Sequence, residues 1–135
     1  MSYVMKDFKK KVLYLSLPGF VDSDFPLVKS MQEMGIDITY VIDVIPSSCK
    51  STLFEIENLP TKIGLHPASD FKELMIFNGY LNLEKVYFLT RQNNRRIGLD
   101  GLKAVIKLNK FIVNNKFDII HTTYPFWYLD CLLYR

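Results

Sequence analysis

The groups best suited to chemistry in this chain gather in two short stretches, one toward each end. In the first, Leu17-Pro18-Gly19-Phe20 interrupts an apolar run. Gly19 would let a ligand approach the backbone, and the N-terminus of a helix starting just beyond would favour an anion such as phosphate. Asp22 and Asp24 oppose that use, because carboxylates repel phosphate. The glycine patterns of dinucleotide sites and of P-loops are both missing, and the plainer reading is that Pro-Gly only turns the chain. In the second stretch His121 is followed by Thr122, Thr123 and Tyr124, several hydrogen-bonding groups in close succession. Its competing reading is a buried histidine whose ring bonds a backbone carbonyl. His66, beside Pro67, supports no role.

Other features point to surfaces. Lys103, Lys107 and Lys110 recur at helical spacing downstream of Arg95 and Arg96. Such a face can rest on anionic lipid, although it is more often the solvated side of an amphipathic helix. The aromatic run Tyr124-Pro125-Phe126-Trp127-Tyr128 fits core or interface packing better than stacking on a sugar ring. A net charge of +3 tilts partners toward acidic ones without selecting among them, and no nucleic-acid motif accompanies it. Cys49 and Cys131 form no metal-ligand spacing, so a reduced, cytoplasmic setting is expected. Lys9-Lys10-Lys11 and the apolar run after it imitate a signal peptide, but Pro18-Gly19 breaks the run and no cleavage site follows.

The elements that must position these groups alternate between strand and helix. A 49% hydrophobic content over 135 residues suffices for a single packed core. Residues 1–10 are polar and expected to be frayed, leaving 11–135 as the folded unit. Lys11 to Leu17 reads as a central parallel strand buried on both faces. Ser23 offers a helix N-cap, Leu27, Val28, Met31 and Met34 an apolar stripe, and Gly35 a stop. Ile36 to Ile45 alternates and is rich in β-branched residues, which completes a βαβ unit. Two short strands, 53–57 and 61–65, and a helix from about Asp70 to Asn78 are expected in the middle, where the pattern is least clear. Lys85 to Thr90 is the third parallel strand, Arg91 to Arg96 a polar loop, and Phe117 to Thr122 the fourth strand. Between the last two strands, Gly98 to Asn115 reads as an amphipathic helix with Leu99, Leu102, Val105, Ile106, Ile112 and Val113 inward. The fold class is therefore α/β: a Rossmann-like open, mostly parallel sheet with helices on both faces. Ligands of such sheets bind beyond the carboxyl ends of the strands, which is where Gly19, Phe20, His121 and Thr123 should lie. Tyr128 to Tyr134 is apolar and lacks a stop signal, so the expectation is an incomplete domain.

KVLYLSLPGF, the helix after it and the strand IDITYVIDV resemble the opening of the retaining GT-B (family 4-like) glycosyltransferases. Lys116-Phe117-Asp118-Ile119-Ile120-His121 resembles that family's strand of hydrophobe, Asp, two hydrophobes and His. The likeness runs from Lys11 onward and is loose in the middle. It implies the N-terminal, acceptor-side half of a two-domain enzyme that moves a sugar from a nucleotide-sugar donor to a polysaccharide or glycolipid. The donor would be a substrate and no cofactor would be needed. Donor binding would fall to a C-terminal domain with a Glu-x7-Glu region, absent here, so this chain alone should be inactive. Two departures stand out: one glycine, Gly19, where a Gly-Gly pair is common, and Thr123 where the second histidine of His-x-His is usual. Threonine forms hydrogen bonds but cannot replace an imidazole's proton chemistry. The resemblance further implies a cytoplasmic protein, peripheral to the inner face of a membrane.

A receiver domain is disfavoured, since the third strand ends in Phe88-Leu89-Thr90-Arg91 without a phosphorylatable aspartate. LPGFVDSDF is a poor match to a flavodoxin phosphate loop. The alternative that survives is a non-catalytic α/β binding module, or one that self-associates as a homodimer through its apolar terminal segment.

Overall fold

The computed structural model describes residues 10–51, 54, 56, 63–71, 81–91 and 98–122. The expected frayed N-terminus up to residue 9, the loop from 92 to 96, most of the expected 70–78 helix and the aromatic run after Thr123 lie outside them. The described chain forms β1 (Lys11–Ser16), α1 (Val21–Glu33), β2 (Asp37–Val44), β3 (Gly64–Pro67), β4 (Val86–Thr90), α2 (Leu99–Asn115) and β5 (Ile119–Thr122). One five-stranded sheet runs in the order β3-β4-β2-β1-β5. Its strands are parallel except β3, which pairs antiparallel with β4 at one edge. This is the Rossmann-like α/β architecture the sequence leads one to expect.

Strand alternation divides the core into two layers. Val12 and Tyr14 of β1, Ile38, Tyr40 and Ile42 of β2, and Val86 and Phe88 of β4 face α1. Leu13, Leu15, Val41 and Leu89 face the other way, toward α2. Both surfaces of the central strands are thus buried, which explains their near-continuous apolar runs. Gly35 (φ +84) ends α1 as expected: its N–H reaches the Gln32 carbonyl, and the Ile36 N–H reaches that of Met31. Met31 and Ile36 pack on the same core layer, the hydrophobic contact that accompanies this cap. At the end of α2 the Lys11 ammonium donates to the Asn115 carbonyl at 2.6 Å, a cation placed at the negative end of the helix.

Several expectations need correction. α1 begins at Val21, directly after a 3-10 turn at Pro18–Phe20, and Ser23 is an exposed first-turn residue rather than its cap. Its buried residues are Val21, Asp24 and Val28, while Leu27 and Met34 face solvent. α2 is likewise rotated. Gly101, Ala104, Val105, Leu108 and Ile112 form its buried stripe, leaving Leu99, Leu102, Ile106 and Val113 exposed. The cause is the small side chains at 101 and 104, which sit at helical spacing with Leu108 and Ile112. Phe54 and Ile56 are buried but belong to no strand. The expected 61–65 strand is instead Gly64–Pro67, with Pro67 at its end on the sheet edge, where a missing N–H is tolerated. Pro67 precedes a 3-10 turn at Ala68–Asp70, which contains Ser69, and Phe71 is extended, so a helix does not start at Asp70; the rest of the expected 70–78 span lies outside the described residues.

Candidate functional site at the β1–β5 crevice

From β1 the chain moves to β2 and then β4 on one side, before α2 carries it back across the sheet to β5 on the other. The order therefore reverses between β1 and β5, and the crevice beyond their carboxyl ends is where open α/β sheets bind ligands. Tyr14 pairs with His121 and Leu15 with Thr122 in the β1–β5 register. The turn after β1 and the end of β5 are thereby brought to one rim, as the sequence suggests.

His121 is exposed, and its ring lies 4.4 Å, centroid to centroid, from that of Tyr14, with the planes tilted by 33°. A histidine buried on a carbonyl is not what the structure contains. Gly19 is exposed within the 3-10 turn, and a Cβ built there would meet nothing within 4 Å. Open space around Gly19 suits a ligand's approach, but its backbone does not demand glycine. Phe20 is 43% exposed beside it. Thr123 lies outside the described residues.

Beneath this rim is a polar cluster that the sequence reading missed. Asp24 sits in the first turn of α1, on the buried stripe, and its carboxylate accepts two hydrogen bonds. The Tyr14 hydroxyl donates to Oδ1 at 3.0 Å, and the Ser16 hydroxyl donates to Oδ2 at 2.7 Å. Tyr14 and Ser16 project from the same side of β1, two residues apart, toward the start of α1. The positive end of the helix favours a carboxylate there. Asp24 meets no cation among the described residues. Burial, then the bond to Asp24, pushes the Tyr14 phenol up from 10.0 to about 12. Tyr40 packs edge-on against Tyr14 at 5.7 Å, and burial raises its phenol as well. The overlooked signal was a Tyr-x-Ser pair on one strand face opposite an acid at the spacing of a buried helical stripe.

A second buried acid lies on β2, the strand next to β1. Asp43 of β2 and Arg91, just after β4, form an ion pair with both side chains 1% exposed. Arg91 is therefore no part of a solvated polar loop. The pair ties the carboxyl ends of β2 and β4 together and presents no charge to a ligand. Among the described residues no group of three or more His, Cys, Asp or Glu side chains is placed to hold a metal.

No family model matches this chain, and no curated protein or solved structure matches it either.

Proposed function

We propose that this chain is the acceptor-side, Rossmann-like half of a retaining GT-B sugar transferase. Its β1–β5 crevice would take a hydroxyl-rich sugar or glycolipid. The observation that carries the reading is Asp24. Its carboxylate lies in the first turn of α1, held by the Tyr14 and Ser16 hydroxyls, and puts a negative charge beside the helix start where a nucleotide site of this architecture would hold phosphate. A crevice with that lining disfavours a pyrophosphate and suits neutral hydroxyl groups. This agrees with a division of labour in which a partner domain holds the nucleotide-sugar donor. His121, stacked on Tyr14, would orient an acceptor hydroxyl by hydrogen bonding, with Gly19 and Phe20 lining the opposite side. Stabilisation of the nucleoside diphosphate leaving group would come from the donor-binding domain. No described helix is long and apolar enough to cross a membrane.

The test is a binding titration followed by NMR, with a neutral oligosaccharide panel set against a nucleotide-sugar panel. The expected result is shifts at Gly19, Phe20 and His121 with oligosaccharides only, lost in His121→Ala. Shifts at those residues with nucleotide sugars, and none with oligosaccharides, would end the acceptor-side reading.

One observation favours a second reading, a self-associating module. α2 leaves Leu99 69% and Val113 63% exposed, with Ile106 between them on the same side of the helix. Light scattering decides it: a dimer that dissociates in Ile106→Glu supports self-association, and a concentration-independent monomer removes it.

A further inference from the structure

At the sheet edge far from the crevice, β3 and α2 flank a groove of about 490 Å³. Its walls differ in chemistry. Leu65, Pro67 and Phe111 supply an apolar side, and Phe111 is held by ring contacts with Tyr87 at 5.0 Å and Phe117 at 5.8 Å. Lys107 and Lys110, three residues apart on α2, supply a cationic side. Neither lysine meets a carboxylate within ion-pair distance among the described residues, although Asp70 lines the same groove. Lys107 is also positioned. Gly64 adopts φ +143, open in practice only to glycine, and a Cβ there would approach the Lys107 side chain to 3.1 Å. The end of the lysine side chain, its ammonium included, thus lies against the bare backbone of β3 at the groove wall.

We propose that this groove is a second binding site, independent of the crevice, for a phosphate ester with an apolar or planar body. The phosphate bridges Lys107 and Lys110, and the body lies against Phe111 and Pro67. Two unpaired ammonium groups outweigh the single carboxylate of Asp70, so the groove attracts an anion where the crevice repels one. The apolar wall explains why a bare anion is a poorer fit than an ester.

Calorimetric titration tests this with three monomeric probes: inorganic phosphate, adenosine monophosphate, and dihexanoyl phosphatidylglycerol as a soluble lipid ester. At least one ester should bind more tightly than inorganic phosphate. Its affinity should fall by at least about tenfold in Lys107→Gln/Lys110→Gln, given the strength of charge-assisted contacts. Both lysines are exposed, so circular dichroism of the double variant should match the parent. Preference for the nucleotide assigns the groove to soluble esters, and preference for the lipid assigns it to a headgroup. Equal affinity for all three probes, unchanged affinity in the double variant, or no binding at all would overturn the proposal.

Discussion

Asp24 and Asp43 are both buried acids at the carboxyl half of the sheet, and their surroundings differ in every other respect. Asp43 has a full countercharge in Arg91, and neither group reaches solvent. Among the described residues Asp24 has two hydroxyl donors and the start of a helix, and it lies beneath the rim formed by the ends of β1 and β5. Neutralising a charge with a charge leaves nothing for a ligand to read, and such a pair is strongly destabilised when one partner is removed. Satisfying a charge with neutral donors leaves a local negative field intact. One acid therefore belongs to the architecture, and the other, under the proposed function, would shape what the crevice accepts.

The largest expected effect lies on the architectural side. Asp43→Ala strands the Arg91 guanidinium in the core and should cost about 3–5 kcal/mol, a large part of a typical domain's stability. Denaturant midpoints measure it directly. Replacing both partners, as Asp43→Leu with Arg91→Met, should recover most of that loss, since well-packed apolar residues often match a buried pair. A single variant as stable as the parent would mean that Arg91 can reach water, and the contrast with Asp24 would collapse.

Asp24→Ala is expected to cost less, about 1–3 kcal/mol, because it leaves the Tyr14 hydroxyl without its acceptor, while Ser16 keeps the Leu17 carbonyl at 3.2 Å, and no charge is stranded. Asp24→Asn, which keeps the shape, sharpens the comparison. Removing the charge at the start of α1 should raise the crevice's affinity for inorganic phosphate, whereas Asp43→Asn should not. Chemical-shift changes at Gly19 and Phe20 during a phosphate titration would report it. If neither variant changes anion binding, Asp24 is as structural as Asp43.

What the sequence made legible follows physical range. β1, β2 and β4 announce themselves because a strand buried on both faces must be apolar throughout, and each matches its expected span to within a residue or two. His121 at the rim followed from the strand-end rule. The inward faces of both helices were harder. Counting large apolar residues favoured Leu102 and Ile106, whereas Gly101 and Ala104 decide the buried side of α2 by being small. Asp24 was visible as a charge that would repel phosphate, but its place among Val21 and Val28 shows only once the helix start is known to be Val21. The Asp43–Arg91 pair joins residues 48 apart in sequence and leaves no local trace.

The smallest effect separates the contribution of Tyr14 from that of its acid. Tyr14→Phe removes one hydrogen bond and should cost about 0.5–1.5 kcal/mol near neutral pH. The phenol is pushed up from 10.0 to about 12 in the folded protein, so folding favours its neutral form. That contribution is complete below the unfolded value of 10.0 and is lost as pH rises through about 12. Burial raises Tyr40 in the same direction, so the parent should lose stability steeply across this alkaline window. Tyr14→Phe should lose it less steeply, because one of the two phenols that burial raises is gone. Denaturant midpoints on either side of about pH 10, paired with the tyrosinate absorbance of each protein, give the two slopes. Identical slopes would show that Tyr14 ionises freely in the folded state. The hydroxyl bond to Asp24 would then be too weak to fix the ring on which His121 stacks.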